Sequence, residues 1–273
     1  MAILADQHMH TDFSFDGHAK MEEMVISSIN KGLNHIAFTD HNDFDYPVTN
    51  ECPEGCWNLN TDAYLYELLS LRSKYEEKIQ IAFGIEIGMQ ESAFRKNAIL
   101  ARAHEYDFII GSIHLVNGVD TYWPSFFEGR AINDCMDEYY KAMIKNIKQF
   151  NNFDVLGHID YIVRTLPKEI GEYNPLNYLD YTDEIFDFLI ENEKGIEINT
   201  SQIYRRGFDT PNPPLDLVKR YKERGGEIIT VGSDAHYTDH VAGAFGIADS
   251  ILKNSGFKYY SVFKDRIPTY VKL

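Results

Sequence analysis

Short β-rich apolar runs alternate with segments of helical periodicity along almost the whole chain. Between the runs, apolar residues recur every three or four positions, which is typical of helices that pack through one face. One helix is marked at both ends, because Pro213-Pro214 precedes it and Gly225-Gly226 follows it. The apolar runs predict seven strands, at residues 3–8, 35–41, 79–87, 108–114, 153–158, 195–199 and 227–234.

Strand–helix units in such a succession predict an α/β fold with a parallel sheet, because parallel neighbours need long crossover connections. Periodicity alone leaves two architectures open, a closed barrel and an open doubly wound sheet. No G-x-G-x-x-G follows the first strand and no G-x-x-x-x-G-K-[ST] occurs, so dinucleotide and P-loop sites lose their main support. With no repeat, linker or composition shift, residues 1–273 are expected to form one domain. Residues 257–273 predict a final strand pair without an assigned place.

Charge narrows the range of partners. The 273 residues contain 26 Lys and Arg against 42 Asp and Glu, a formal net charge of −16. Such a surface repels nucleic acid and anionic membranes, so a nucleic-acid partner is disfavoured. No apolar stretch approaches the ~20 residues of a membrane span, and the N-terminus lacks the basic and apolar regions of a signal peptide.

The cysteines favour a reducing, cytoplasmic location. There are 3 of them, too few and odd in number for a disulfide framework. Cys52 and Cys56 have the spacing of half a zinc knuckle, but no second half follows. We therefore expect this segment to be an ordinary loop.

Histidines and carboxylates gather where the predicted strands end. Residues i and i+2 of a strand point to the same face, so His8 with His10, and Asp234 with His236, could each aim two side chains inward. Sites in parallel α/β folds lie at this carboxyl end of the strands. Divalent cations such as zinc, manganese or iron would stabilise such a mixture of nitrogen and oxygen ligands. The side chains concerned are His8, His10, Asp40, His41, Glu86, His114, His158, Asp160, Asp234 and His236.

Six motifs carry a resemblance to a known family. They are His8-Met9-His10 with Ser14-Phe15-Asp16-Gly17, Thr39-Asp40-His41, Gly84-Ile85-Glu86, Gly111-Ser112-Ile113-His114, Gly157-His158-Ile159-Asp160 and Gly232-Ser233-Asp234-Ala235-His236. In this order they resemble the PHP family, the polymerase and histidinol phosphatase phosphoesterases. The length of the chain most resembles the monofunctional histidinol-phosphate phosphatases. The resemblance implies a distorted seven-stranded (β/α) barrel, similar to a TIM barrel.

The resemblance also implies a centre of three divalent metal ions, Zn, Mn or Fe. The implied ligands form three sets: His8, His10, Glu86 and Asp234; Glu86 again, as a bridge, with His114 and His158; and Asp16, His41 and His236. Asp16 occupies a position where some family members have histidine. A charged oxygen in place of a neutral nitrogen could alter the metal preference of the third set.

The implied activity is hydrolysis of L-histidinol phosphate to L-histidinol and phosphate, a step of histidine biosynthesis. Closely spaced cations lower the pKa of a bound water from 15.7 toward ~7, and we expect a hydroxide between the first two metals to attack phosphorus. Glu86 would bridge these metals. Asp234 or His236 could pass a proton to the leaving alkoxide, but their metal bonds limit that role, and the acid is left unassigned.

Arginine is the expected clamp for a further phosphate oxygen. Arg164 is the first candidate because it follows the same strand end as His158, whereas Arg130, Arg205 and Arg206 are alternatives in loops. The cationic head of histidinol needs an acidic or aromatic surface, for which residues 123–128 and 197–199 are candidates.

Two other functions stay open at this point. One is a phosphoesterase of the same family that acts on a nucleotide, an oligonucleotide end or a sugar phosphate. The other is a metal-binding scaffold without catalysis, which is disfavoured because every matched ligand position is filled. In each enzymatic case the partner is a small phosphomonoester, and the sequence leaves the oligomeric state open.

Overall fold

Seven parallel strands form the wall of a barrel. The computed structural model describes residues 3–273. The strands follow the order β1-β2-β4-β5-β8-β9-β10, and β3 pairs with the carboxyl half of β4. Their bounds are β1 Ala5–Met9, β2 His35–Phe38, β3 His41–Asn42, β4 Gln80–Gly88, β5 Phe108–Ser112, β8 Val155–Leu156, β9 Gly195–Asn199 and β10 Ile229–Gly232. One barrel strand lies in each of the seven predicted regions.

The barrel closes between its first and last strands through few hydrogen bonds. The Asp234 amide donates to the His8 carbonyl at 2.7 Å, and the His10 amide donates to the Ala235 carbonyl at 2.9 Å. Within residues 3–273, an isolated bridge between Met9 and Ala235 takes the place of a continuous ladder at this seam. The expected distorted seven-stranded barrel is therefore confirmed, and its seam runs beside the predicted metal ligands.

Eight α-helices accompany the strands within residues 3–273. The apolar spacing explains their packing: in α4 the buried residues include Met136, Tyr140, Met143 and Ile147, which share one face. The later helix α7 begins after Pro214, as predicted. The helices are α1 Met21–Asn30, α2 Thr61–Tyr75, α3 Phe94–Leu100, α4 Ile132–Gln149, α5 Leu179–Glu191, α6 Ser201–Arg206, α7 Leu215–Glu223 and α8 Phe245–Asn254. No helix within residues 3–273 combines the length and apolar character needed to cross a membrane.

In the described part of the chain, two hairpins lie outside the barrel sheet. The first joins β6 Leu115–Val116 to β7 Val119–Asp120, at the carboxyl end of the barrel. The second joins β11 Tyr259–Lys264 to β12 Ile267–Lys272 and confirms the predicted terminal strand pair. It packs at the amino ends of the strands, where Ser261 Oγ accepts from the Ile229 amide at 3.2 Å and the Phe263 amide donates to Gln7 at 3.0 Å.

The expectation for the cysteines is wrong in one respect. The structure joins Cys52 and Cys56 by a disulfide, with their Cα atoms 5.6 Å apart, and leaves Cys135 buried and unpaired. Gly55 has φ +76° and helps the short segment to turn back on itself. Cysteine counting tests for a framework that spans the fold, whereas this pair lies within one local turn of the predicted loop.

We expect replacement of Gly232 by alanine to destabilise the fold. An added Cβ would lie 2.3 Å from both His8 Cβ and Glu197 Oε1, inside the barrel. Overpacking of this kind costs about 1–3 kcal/mol, so Gly232→Ala should lower the Tm measured by circular dichroism. Gly246→Ala is the matched control, because its Cβ would meet nothing within 4 Å and alanine favours helix α8. A Gly232→Ala variant that melts with the wild-type protein would contradict the close packing described.

Candidate metal centre

The predicted ligands converge at the carboxyl end of the barrel. His8 lies on β1, His41 on β3 and Glu86 on β4, while the others follow β1, β5, β8 or β10. Asp16 comes from the loop after β1 and is the most exposed of the set, with 36% of its side chain accessible. The structure thus brings together every predicted ligand: His8, His10, Asp16, His41, Glu86, His114, His158, Asp234 and His236.

Glu86 occupies the middle of this cluster and is fully buried. Its Oε2 lies 3.1 Å from His8 Nε2 and 2.9 Å from His41 Nδ1. Its Oε1 lies 2.9 Å from His158 Nε2 and 3.3 Å from His114 Nε2. One carboxylate therefore faces imidazoles on both of its oxygens, which is the arrangement expected of a bridging ligand.

A first group of donor atoms lies beside the barrel seam. His8 Nε2 and His10 Nε2 approach to 3.0 Å, and Asp234 Oδ1 lies 3.3 Å from His10 Nε2. The positive φ of Asp234, 55°, is uncommon for a non-glycine residue and turns the chain at this point. Two ring nitrogens that face each other can share one proton, or both can donate lone pairs to one cation.

A second group lies nearer the opening of the barrel. His236 Nε2 is 3.0 Å from Asp16 Oδ2, and His41 Nε2 is 3.9 Å from Asp16 Oδ1. The ring of His10 packs against those of His41 and His236, at centroid distances of 4.1 and 4.3 Å, and these two rings lie 5.8 Å from each other. The side chains of the three implied ligand sets therefore form one continuous cluster.

Several buried atoms of this cluster lack a hydrogen bond of acceptable geometry. Among residues 3–273 these include His41 Nδ1, His236 Nε2 and Asp16 Oδ1, although oppositely charged atoms lie near them. Buried polar atoms are rarely left unsatisfied. Three overlapping groups also place their donor atoms within 4.8 Å of one another: His8, His10 and Glu86; His41, Glu86 and His114; and His10, His41 and His236. Imidazole and carboxylate donors so arranged fit divalent cations such as zinc.

Electrostatics favours the ligand-competent protonation state in Glu86 and His10. Burial alone would raise the pKa of Glu86, but His8, His41 and His114 hold that pKa well below its usual range. Burial, together with the rings of His41 and His236, lowers the pKa of His10 well below its ordinary value. Glu86 is therefore ionised and His10 neutral at pH 7, as metal ligands need to be. In His8, His41 and His114, burial alone would lower the pKa, but Glu86 and the neighbouring carboxylates raise it, so these rings would release a proton on binding a cation.

Carboxylates outside the predicted set orient two of the imidazoles. Glu197 Oε1 lies 2.6 Å from His8 Nδ1, and Asp43 Oδ1 lies 2.8 Å from His114 Nδ1. Contacts of this kind fix the ring so that its other nitrogen faces the metal. Our sequence analysis missed these roles, because Glu197 follows His8 by 189 residues and no local spacing links them. Glu197 was instead a candidate for the substrate head, and its burial against His8 argues against that role.

Arg164 is fixed beside the cluster. Its Nη1 donates to Asp234 Oδ2 at 3.0 Å, its Nε to Asn212 at 2.9 Å and its Nη2 to Asn199 at 2.8 Å. The guanidinium also lies 5.0 Å from the centre of the Tyr161 ring. Asn199, the other residue considered for the substrate head, thus contacts Arg164 from within the barrel.

A cavity of about 330 Å³ opens over these groups. Arg205 and Arg206 line it with Arg164, whereas the remaining candidate, Arg130, pairs with Glu138 outside it. Of the segment 123–128, the cavity is lined by Trp123 alone. Its other aromatic walls are Tyr46, Trp57, Tyr122 and Tyr161.

Fold and site together define a class. A buried cluster of imidazoles and carboxylates at the carboxyl ends of barrel strands, open to a cavity, is typical of hydrolases that use divalent cations. The sequence matches the PHP domain over residues 6–201. The chain belongs to the PHP family, as its motifs predict. Asp234 and His236 lie beyond the matched range, and the fold brings them back to the same cluster.

Relatives with full-length similarity have a common name. A probable histidinol-phosphatase of Clostridium acetobutylicum is 33% identical over 256 residues, 94% of this chain and 95% of that protein. The histidinol-phosphatase of Lactococcus lactis is 28% identical over 262 residues, 94% and 93% of the two chains.

A solved structure agrees with the whole fold. The crystal structure of histidinol phosphate phosphatase from Lactococcus lactis, complexed with zinc, L-histidinol and phosphate, has a TM-score of 0.86 at 26% identity. The likeness covers 97% of this chain and 98% of that one. The predicted resemblance to this branch of the family is thereby confirmed.

We expect Glu197→Gln to weaken metal binding without removing a ligand. The amide keeps the shape of the side chain but loses the charge that orients His8, and such changes typically cost 10–100-fold in metal affinity. Competition with a chromophoric chelator would measure the affinity, and circular dichroism would check the fold. Glu191→Gln, at an exposed position of α5, is the matched control. Equal affinities in the two variants would show that Glu197 does not tune the centre.

Proposed function

We propose that this protein is a phosphoric monoester hydrolase that converts L-histidinol phosphate to L-histidinol and phosphate in histidine biosynthesis. One observation carries the proposal: a buried donor cluster and an arginine open into one cavity, in a chain that matches the zinc, histidinol and phosphate complex along 97% of its length. We further infer that residues 1–273 act as one domain in the cytoplasm.

We assign three divalent ions, Zn, Mn or Fe, to the cluster. The first would be held by His8, His10, Glu86 and Asp234; the second by Glu86, His114 and His158; and the third by Asp16, His41 and His236. The support is the proximity of these side chains and the unsatisfied buried atoms among them. Such ions, when bound, supply Lewis-acid stabilisation of phosphoryl oxygens and activate water near neutral pH.

Arg164 is suited to hold the phosphoryl group. A guanidinium has five N–H donors, and Asn199, Asn212 and Asp234 engage three of its nitrogens through one bond each. The remaining N–H groups are available to a phosphate oxygen. Since the side chain is fixed by those three partners, binding of phosphate would cost little further rotamer entropy.

Asp234 is assigned the role of an ionised ligand, not that of the acid that protonates the leaving alkoxide. Burial alone would raise the pKa of Asp234, but His8, His10 and Arg164 hold that pKa well below its usual range. Asp234 is therefore a poor acid at neutral pH and acts as an ionised ligand and as a partner of Arg164. His236, whose Nδ1 lies 3.0 Å from the Asp234 carbonyl, turns Nε2 toward Asp16 and the cavity. Because that nitrogen would bind the third ion, His236 would act as a ligand and not as the proton donor.

Phosphate release from L-histidinol phosphate tests the function directly. Protein reconstituted with Mn or Zn should prefer this substrate over a panel of nucleotides, oligonucleotide ends and sugar phosphates. A chelator should abolish turnover, and added metal should restore it. If the protein prefers a nucleotide or a sugar phosphate, metal-dependent hydrolysis of phosphomonoesters stands and the assignment to histidine biosynthesis is rejected.

Glu86→Ala should abolish turnover while the fold persists, because the variant loses the carboxylate shared by two ion sites. Metal content by mass spectrometry should fall below that of the wild type in the same variant. Glu223→Ala, on the exposed face of α7, is a control for a lost surface charge. Near-wild-type turnover in Glu86→Ala would refute the bridging role.

Arg164→Met should lower kcat/KM by about 10- to 100-fold, the value of a charge-assisted hydrogen bond of ~1.5–3 kcal/mol. The loss should appear with every phosphomonoester, because the phosphoryl group is common to all of them. Arg130→Met is the matched control, since Arg130 lies outside the cavity and pairs with Glu138. Unchanged KM and kcat in Arg164→Met would remove this residue from the site.

A further inference from the structure

The cavity contains one carboxylate without a cationic partner. Four aspartates line it: Asp16, Asp43, Asp120 and Asp234. Three of them face basic groups, His236 at 3.0 Å, His114 at 2.8 Å and Arg164 at 3.0 Å, respectively. Within residues 3–273, no nitrogen of lysine, arginine or histidine lies within 4.0 Å of the fourth, Asp120.

Asp120 is nevertheless almost completely buried and held in one orientation. It ends strand β7 and is 7% exposed. Its Oδ2 accepts from the Tyr46 hydroxyl at 2.5 Å, and its Oδ1 accepts from the Tyr122 amide at 2.7 Å. Each carboxylate oxygen has a second lone pair. Burial of a carboxylate without a counter-charge costs free energy, so this position favours a cation brought by a ligand.

Aromatic rings strengthen the preference for a cation. The Tyr46 ring lies 4.9 Å from the ring of Trp57 and 6.1 Å from the ring of Trp123, and all three side chains line the cavity. Ring faces attract ammonium groups. The wall around Asp120 therefore attracts positive charge, whereas Arg164 and Arg205 on the same cavity attract negative charge.

The two charged regions are close enough for one small molecule. Asp120 pairs across the β6–β7 hairpin with Leu115, the residue that follows His114. The next amide, that of Thr121, donates to the His114 carbonyl at 3.1 Å. Asp120 thus stands beside a proposed metal ligand. In L-histidinol phosphate, the amino group is on the carbon next to the phosphorylated one.

We propose that Asp120, positioned by Tyr46, binds the protonated amino group of the substrate and makes the site selective for amino-alcohol phosphates. This inference rests on the proposed function and adds to it the residue that recognises the amine. The carboxylate gains its missing counter-charge only when an amine-bearing phosphomonoester is bound. A phosphomonoester without an amine leaves the carboxylate unpaired.

The test compares three substrates: L-histidinol phosphate, its analogue with hydrogen in place of the amino group, and L-phenylalaninol phosphate. In the wild type, the ratio of kcat/KM for L-histidinol phosphate to that for the deaminated analogue measures recognition of the amine. Asp120→Asn should reduce this ratio by about 10- to 100-fold, as expected for loss of a charge-assisted hydrogen bond. In the same variant, kcat/KM for L-phenylalaninol phosphate should fall by the same factor as kcat/KM for L-histidinol phosphate, because both substrates have the amine.

Two further variants keep the test independent of folding. Tyr46→Phe removes the hydroxyl that orients Asp120 and should reduce the ratio in the same direction by a smaller factor. Glu128→Gln removes one charge from an exposed position near the cavity loop and should leave the ratio unchanged. If Asp120→Asn fails to fold, the ratio of the two kcat/KM values in Tyr46→Phe tests the role of Asp120, and an unchanged ratio overturns it.

The possible failures are distinguishable. If the wild type prefers L-histidinol phosphate but Asp120→Asn leaves the kcat/KM ratio unchanged, this inference is overturned and the proposed function stands. A loss confined to substrates with an imidazole ring also overturns it, since Asp120 would then bind the ring. A wild type without preference for L-histidinol phosphate rejects the proposed function itself.

Discussion

The balance of charge around the buried carboxylate of Glu86 determines the rest of the centre. Four histidines, His8, His41, His114 and His158, place ring nitrogens within 3.3 Å of its two oxygens. A lone buried carboxylate would be driven to the protonated form, and a group of buried imidazoles would be driven to neutrality. Each stabilises the charged form of the other, and cations that displaced the ring protons would preserve the balance.

The position of Glu86 follows from strand register. It lies on β4, the longest strand of the barrel, directly opposite His41 of β3 and Ile110 of β5. Ser112, two residues beyond Ile110 on the same face of β5, donates to Glu86 Oε1 at 2.6 Å. A shift of one residue in this register would turn the carboxylate to the opposite face of the sheet. The hydrogen bonds of the barrel wall therefore set the geometry of the site.

Sequence predicted what is local and missed what the fold assembles. Strand ends, pairs such as His8 with His10, and the family motifs are written in short spacings, so the barrel strands and the convergence of the proposed ligands could be predicted. The contact of Glu197 with His8 spans 189 residues and that of Asp43 with His114 spans 71, so no spacing rule indicates them. The role of Asp120 depends on the absence of a neighbour, which becomes visible only when every side chain has a position. The family resemblance, rather than periodicity, distinguished a closed barrel from an open sheet. The two architectures have the same succession of strands and helices and differ here by a few hydrogen bonds at the seam, which periodicity does not predict.

The ligand composition also explains how so acidic a chain could attract a phosphate dianion. The net charge is −16, and the far field of the protein is therefore repulsive to an anion. Of the proposed ligands only Asp16, Glu86 and Asp234 are carboxylates, and the others are imidazoles, which are neutral when they bind a cation. Three divalent ions would exceed those carboxylates in charge, and Arg164 adds to the excess, whereas Asp43, Asp120 and Glu197 offset part of it. This excess of positive charge lies within the cavity, so salt screens it little from a phosphate bound there, since the Debye length is about 8 Å at physiological salt. On one side of the cavity, Asp120 and the aromatic wall reduce the excess. A ligand that is anionic at one end and cationic at the other matches this division better than a simple anion does.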